Sequence, residues 1–130
     1  MGLKINIEKK EEGYYVVSLE GSIDSDTFVE FEKKIKSILN SSTTAIMLNM
    51  EGVTYISSIG FGVIFRTKQA LEQNKGSLAI ANIKPNVKRI FEAVKVIPEL
   101  LFATLEAADE YLDKYIQWID TEGKEKEEKK

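Results

Sequence analysis

The sequence predicts an α/β domain in which a mixed sheet of four or five strands is packed by about four helices. Three observations support this prediction. Two segments near the start alternate between apolar and polar residues, which is the period of half-buried strands. Two later segments are short and nearly all apolar, as strands covered on both faces are. Segments with helical spacing separate these later strands, so we expect them to pair in parallel through right-handed crossovers.

The first half of the chain predicts a hairpin followed by a helix. Leu3 to Ile7 and Tyr15 to Leu19 alternate, and the polar stretch Lys9 to Gly13 between them ends in glycine, as a turn does. Apolar residues then recur at helical spacing and predict a helix near residues 26–40. These residues are Phe28, Phe31, Ile35, Ile38 and Leu39.

The second half predicts an alternation of buried strands and helices. In order, it contains a strand at Ala45–Met50, a helix near 58–73, a strand at Leu78–Ile83, a helix near 85–95, a last short strand within Leu100–Leu105 and a helix near 106–119. We expect residues 1–119 to form a single domain. Residues 120–130 predict a charged, disordered tail, because only Gly, Glu and Lys follow Thr121.

The composition excludes several classes of function. The 130 residues include no cysteine and no histidine, which removes thiolate metal sites and the usual general base at neutral pH. We therefore expect no enzyme, no catalytic residue, no metal site and no cofactor. A net charge of −3 gives no electrostatic reason for direct nucleic-acid binding. No signal-peptide pattern and no apolar run long enough to span a membrane occur, so we expect a soluble, cytoplasmic protein.

Two serines occupy the junction between a predicted strand and the helix near 58–73. Ser57 and Ser58 precede Gly60 and Gly62. A serine just before a helix can cap it, and the start of a helix also tolerates a phosphate well. Local chemistry alone favours the simpler interpretation, in which a serine is only an N-cap and the glycines let the helix lie close to the sheet. The stretch lacks the Gly-Lys-Ser/Thr ending of a phosphate-binding loop.

Three segments in a specific order change this interpretation. Gly21 to Asp24 resembles a Gly-x-Leu/Ile-Asp turn before a first helix. Leu48 to Ile64 resembles a strand, an Asp-Ser-Ser/Thr-Gly-Leu-Gly signature and a helix, and Pro85 to Phe91 resembles a third helix. Together they resemble the STAS domain family and, within it, the anti-sigma factor antagonists of bacteria. The resemblance covers about Leu3 to Tyr115 and implies a STAS-like fold.

The resemblance implies a switchable binding module rather than an enzyme. Members of that family bind an anti-sigma factor that is also a serine kinase, and binding frees a sigma factor for transcription. The kinase phosphorylates the Ser or Thr just before the first signature glycine, and the phosphorylated form releases its partner. We therefore expect a kinase-like anti-sigma factor as partner. The expected partner-binding residues are Asp24, Ser57, Ser58, Ile59, Gly60 and Phe61.

The chain departs from the family pattern at the phosphorylation site. Ile59 occupies the usual acceptor position, and Ser57 replaces the usual aspartate. Phosphorylation is therefore either lost or moved, with Ser58 and then Ser57 as the candidate acceptors. One residue along a helix start means about 100° of rotation and about 1.5 Å of rise, so a kinase tuned to one position need not accept the next. We expect an unswitched or differently switched module.

Two other functions remain open from the sequence. The chain could be a STAS interaction module of another signalling or lipid-transport complex. It could also be a small nucleotide-binding domain, with weak nucleotide binding at the helix start formed by Ser57 and Ser58. We expect Asp24, Ser57, Ser58, Ile59 and Phe61 to lie near one another. We also expect at least part of Ile59 or Phe61 to be exposed, as a contact for a partner.

Overall fold

The chain forms a five-stranded mixed sheet with helices on both faces. A computed structural model describes residues 2–93 and 101–118. The elements in chain order are β1 (Lys4–Glu11), β2 (Tyr14–Ile23), α1 (Phe28–Ile38), β3 (Ala45–Ile56), α2 (Ser58–Gln73), β4 (Ser77–Ala81), α3 (Pro85–Ala93), β5 (Leu101–Phe102) and α4 (Leu105–Trp118). The predicted α/β fold is confirmed. The predicted tail at 120–130 and the predicted ends of the last two helices, at 94–95 and 119, lie outside the described residues.

The strands lie side by side in the order in which they occur in the sequence. β1 is antiparallel to β2, and β2, β3, β4 and β5 pair in parallel. Because side chains on a strand alternate between faces, the sheet carries two apolar layers. One face packs against α1, α2 and α3, and the other packs against α4. The sheet residues beneath α4 are mostly small or slender, namely Ala45, Met47, Ala79 and Ala81.

Three strands are longer than the sequence predicts: β2 continues past Leu19 to Ile23, and β1 and β3 are extended as well. β1 continues to Glu11, so the turn predicted over Lys9 to Gly13 is reduced to two residues. β3 continues past Met50 to Ile56 because β2 extends alongside it as far as Ile23. In each case a neighbouring strand supplies backbone hydrogen bonds that the local residue pattern does not reveal.

A buried hydroxyl helps to hold α4 on the sheet. Tyr14 is 1% exposed, and its Oη donates a hydrogen bond to Asp109 Oδ1 at 2.7 Å. A second hydrogen bond joins Ser77 Oγ and Tyr111 Oη, also at 2.7 Å. Burial, and then the hydrogen bond to Asp109, raise the pKa of Tyr14. The Tyr14 hydroxyl therefore keeps its proton and acts as a donor at neutral pH.

The start of α2 lies directly against the end of β2. The Ser57 N–H donates to the carbonyl oxygen of Ile23 at 2.9 Å. A Cβ on Gly60 would lie 2.6 Å from Ile23 Cγ2 and 2.7 Å from the Ile23 carbonyl oxygen. A Cβ on Gly62 would meet only the Arg66 guanidinium, at 3.3 Å. Of these two glycines, only Gly60 is therefore required by packing.

Replacement of Tyr14 by Phe should lower the free energy of unfolding by about 1 kcal/mol, because Asp109 loses a largely buried donor. Urea denaturation at neutral pH measures this difference. Tyr55→Phe is the matched control, since Tyr55 is 53% exposed and its hydroxyl makes no hydrogen bond with the described residues. Equal stability of the wild type and Tyr14→Phe would contradict the anchoring role.

The contribution of Tyr14 should also depend on pH. In the unfolded chain a tyrosine ionises near pH 10, whereas the raised pKa keeps Tyr14 protonated in the folded chain. The contribution is therefore complete below about pH 10 and declines as pH rises towards the folded pKa. The stability difference between wild type and Tyr14→Phe should be constant from about pH 7 to about pH 9 and smaller at about pH 11. A difference that grows with pH would contradict this sign.

The two glycines of α2 should respond differently to alanine. Gly60→Ala should destabilise the fold by about 1–3 kcal/mol, because the new methyl group collides with Ile23 backbone and side chain. Gly62→Ala should be neutral or stabilise by up to about 1 kcal/mol, because alanine favours a helix over glycine. Thermal or urea unfolding measures the stability of both variants, so that the two positions are compared within a single helix. Similar losses at both positions would show that the close contact is not specific to Gly60.

Candidate functional site

Ser57 caps α2. Its Oγ accepts a hydrogen bond from the Gly60 N–H at 3.2 Å and donates to the Ile23 carbonyl oxygen at 3.4 Å. The backbone of Ser57 is extended, as an N-cap residue requires, and the residue is half-buried. The predicted capping role is thus confirmed for Ser57, and its hydroxyl both accepts and donates a hydrogen bond.

The two residues that follow the cap face solvent. Ser58 is exposed, and its hydroxyl makes no hydrogen bond with the described residues. Ile59 is 43% exposed, and within residues 2–93 and 101–118 only Val29 and Tyr55 are other large apolar side chains with comparable exposure. The site therefore presents an accessible hydroxyl beside an accessible apolar side chain.

The next two residues of the predicted contact set are buried. Gly60 lies against Ile23, as described above, and Phe61 is only 8% exposed. The Phe61 ring packs edge-on against Phe91 of α3, with ring centroids 4.9 Å apart at 80°. The sequence predicts exposure of Ile59 or Phe61, and the structure exposes Ile59 and places Phe61 in the core.

Asp24 organises the turn that follows β2. Its Oδ1 accepts a hydrogen bond from the Asp26 N–H at 2.9 Å, and its own N–H donates to Thr27 Oγ1 at 3.0 Å. The N-cap of α1 is Thr27, which makes no side-chain capping bond. Neither Asp24 nor Ser25 is the N-cap of α1. Because Asp24 directly follows Ile23, it lies beside the start of α2.

Two residues that sequence reasoning did not single out border the site. Tyr55 lies near the end of β3, two residues before Ser57, and is 53% exposed. Asn86 lies in the first turn of α3, and its Nδ2 donates to the Thr54 carbonyl oxygen at 2.8 Å. This bond ties α3 to the end of β3. The sequence signal for Tyr55 is weak, since the apolar run that predicted β3 ends before it.

Tyr55, Ser58 and Ile59 place the site on the exposed surface of the protein. A cavity of about 310 Å³ lies elsewhere, where Lys4, Asn6, Ser18, Leu19, Glu20, Asn49, Glu51 and Gly52 line it. In the part of the chain that the structure describes, no three acidic side chains converge as a metal site would require. In the same part of the chain, no helix combines the length and apolar character needed to cross a membrane. The arrangement suits contact with another protein.

Comparisons with known proteins identify the family of the chain. A model of the STAS domain family matches residues 4–108, which contain all three segments of the sequence resemblance. The anti-sigma-B factor antagonist of Staphylococcus aureus is 32% identical over 91 residues, which cover 69% of this chain and 84% of that relative.

Two solved structures share the fold. The anti-sigma factor antagonist SpoIIAA in its unphosphorylated form has a TM-score of 0.76 at 23% identity, over 85% of this chain and 97% of that one. Bacillus SpoIIAA in its phosphorylated form has a TM-score of 0.70 at 22% identity, over 83% of this chain and 98% of that one. The family match, the relative and the shared fold lead to one conclusion: the chain belongs to the STAS domain family, and among its members it is similar to the anti-sigma factor antagonists.

Proposed function

We propose that the chain is an anti-sigma factor antagonist, which binds an anti-sigma factor through the start of α2 and thereby controls the release of a sigma factor. The observation that carries the proposal is the exposure of Ile59 at a helix start whose position is fixed by Ile23. An apolar side chain held in one place at the surface is a suitable anchor for a partner. The antagonist of S. aureus, similar over most of its length, supports the same function.

The predicted contact residues divide into two groups. Ile59 and Ser58 can touch a partner directly, with Ser57 and Asp24 beside them at the same end of the sheet. Gly60 and Phe61 are buried and do not touch a partner themselves. They support the contact surface, because they fix the first turn of α2 on β2 and α3. Tyr55 extends the exposed surface on the side of β3.

The proposed role is regulatory and not enzymatic, and the proposed partner is a kinase-like anti-sigma factor. The Ser58 hydroxyl has no hydrogen-bonded base within the described residues, so nothing there activates it as a nucleophile. A role in releasing a sigma factor places the protein in the cytoplasm, where bacterial transcription takes place.

The two hydroxyls at the site differ in their availability to a kinase. Ser57 is half-buried and its Oγ is occupied by Gly60 and Ile23, whereas Ser58 is exposed and free of such bonds. We therefore propose Ser58 as the acceptor if the switch is retained. A phosphate there adds about −1.5 to −2 charges next to Ile59. An unpaired charge enclosed in an apolar contact is costly, so phosphorylation of Ser58 would release the partner.

Ile59→Asp should abolish binding of the anti-sigma factor and leave the fold intact, because the side chain is exposed and the new charge enters the contact. Calorimetric titration with the anti-sigma factor measures binding, and circular dichroism checks folding. Val29→Asp makes the same change at an exposed apolar side chain of α1 and should retain binding. If Ile59→Asp binds normally, Ile59 is not a contact; if it unfolds, Ile59 serves the core.

Incubation with the kinase-like anti-sigma factor and ATP should place one phosphate on Ser58, to be mapped by mass spectrometry. Ser58→Ala should remove the phosphate. Ser57→Ala should keep it while losing about 1 kcal/mol of stability, because the N-cap is lost. Phosphate on neither serine, with binding unaffected by ATP, would show instead that the switch is lost in this chain.

A further inference from the structure

β1 is one of the two edge strands of the described sheet, and β5 is the other. The inner edge of β1 pairs with β2, and no described strand pairs with its outer edge. An outer edge of this kind carries backbone N–H and C=O groups that can accept a further strand. The pairing with β2 is regular from Lys4 to Lys9 and shifts register between Lys9 and Glu11. The regular part of the edge is therefore the segment that starts at Lys4.

The residues of this regular edge are complementary to themselves. The segment reads Lys4-Ile5-Asn6-Ile7-Glu8, with a cation at one end, an anion at the other and an isoleucine on each side of Asn6. If two copies pair antiparallel with Asn6 opposite Asn6, each Lys4 faces a Glu8 and each Ile5 faces an Ile7. Opposite charges and apolar pairs directly across an antiparallel ladder stabilise it, and like charges destabilise it.

Other symmetric registers do not match in this way. In an antiparallel pair, residues that lie opposite each other point to the same face of the sheet. A symmetric pair of β1 strands is therefore centred on one residue that faces its own copy, and neighbouring registers differ by one residue in the position of this centre. With Ile7 at the centre, Lys4 lies opposite Lys10. With Ile5 at the centre, Lys4 lies opposite Asn6 and gains no charged partner. Charges on an edge strand often prevent two sheets from pairing. Here they disfavour the register centred on Ile7 and permit the register centred on Asn6.

The two charged side chains of this segment have no charged partner among the described residues. Lys4 and Glu8 are exposed and form no ion pair with any residue of 2–93 or 101–118. Lys9, which lies outside the complementary segment, is paired with Glu12 at 2.6 Å. Ile5 and Ile7 are half-buried and pack against the main core cluster. A second copy would supply the missing charges and cover the rest of the two isoleucines.

We propose that two copies of this chain associate through β1, antiparallel about a two-fold axis at Asn6, into one continuous ten-stranded sheet, with five strands from each copy. The interface is isologous, as in most symmetric dimers. It is a narrow strip, so the dimer forms reversibly and dissociates on dilution. Because its charge pairs are exposed, its dissociation constant rises with salt concentration.

Sedimentation of the full chain over a range of concentrations tests the proposal. The wild type should show a reversible monomer–dimer equilibrium. Lys4→Glu should raise the dimer dissociation constant roughly tenfold or more, because two attractive pairs become repulsive. The double exchange Lys4→Glu with Glu8→Lys should restore dimerisation. Lys33→Glu makes the same change of charge on the exposed side of α1 and should have no effect.

A disulfide test reports the register. The chain has no cysteine, so Asn6→Cys introduces a single thiol at the proposed axis. Oxidation of Asn6→Cys should give a covalent dimer, since directly opposed residues bring their Cβ atoms to within about 4.5–5.5 Å. Lys10→Cys is the control, because its two thiols would lie roughly 26 Å apart, at about 3.3 Å per residue.

Three results would overturn the proposal. The first is a monomer at every concentration reached, with no covalent dimer from Asn6→Cys. The second is a dimer that survives Lys4→Glu and does not cross-link through position 6, since it would use another surface. The third is a double exchange that stays monomeric while circular dichroism shows it folded, since charge pairing would then not set the register.

Discussion

The close contact between Gly60 and Ile23 determines where the candidate site lies. Ile23 is the last residue of β2, and its partner in the parallel ladder is Ile56, the last residue of β3. The two strands therefore end together, and the chain enters α2 at that point. Because the N–H and the Oγ of Ser57 both bond to the Ile23 carbonyl oxygen, and Gly60 leaves no space for a larger side chain, the first turn of α2 cannot move away from β2. The exposed residues of that turn are consequently held beside Asp24 by the pairing of two strands.

The same first turn separates a surface residue from a core residue. Ile59 and Phe61 are two positions apart, which corresponds to roughly 200° around a helix, so they point to opposite sides. Phe61 packs on Phe91 and thereby joins α2 to α3, while Ile59 remains accessible. Exposure of Ile59 is thus a consequence of how Phe61 is buried. A substitution that disturbs Phe61 would move the contact surface as well as weaken the core.

Sequence reasoning predicted the order of the strands and helices, the mixed sheet and a serine cap at the start of α2, because each depends on local spacing and residue type. It did not predict the full length of β3, because the last residues of that strand are extended only where β2 pairs with them. It could not choose between Ile59 and Phe61, since the first turn of α2 is apolar on every side and shows no periodic face. The exposure of Ile59 depends on the position of Phe91, which is distant in sequence.

The edge of β1 and the start of α2 are separate surfaces, and the topology relates them. β1 runs antiparallel to β2, and in the proposed dimer the two β1 strands are antiparallel to each other. The β2 strands of the two copies then also run in opposite directions. Their carboxyl ends, and with them the two candidate sites, therefore lie at opposite ends of the ten-stranded sheet along the strand direction. Association through β1 therefore leaves both sites accessible and makes the assembly bivalent, so that two partner molecules can be bound without competing for space.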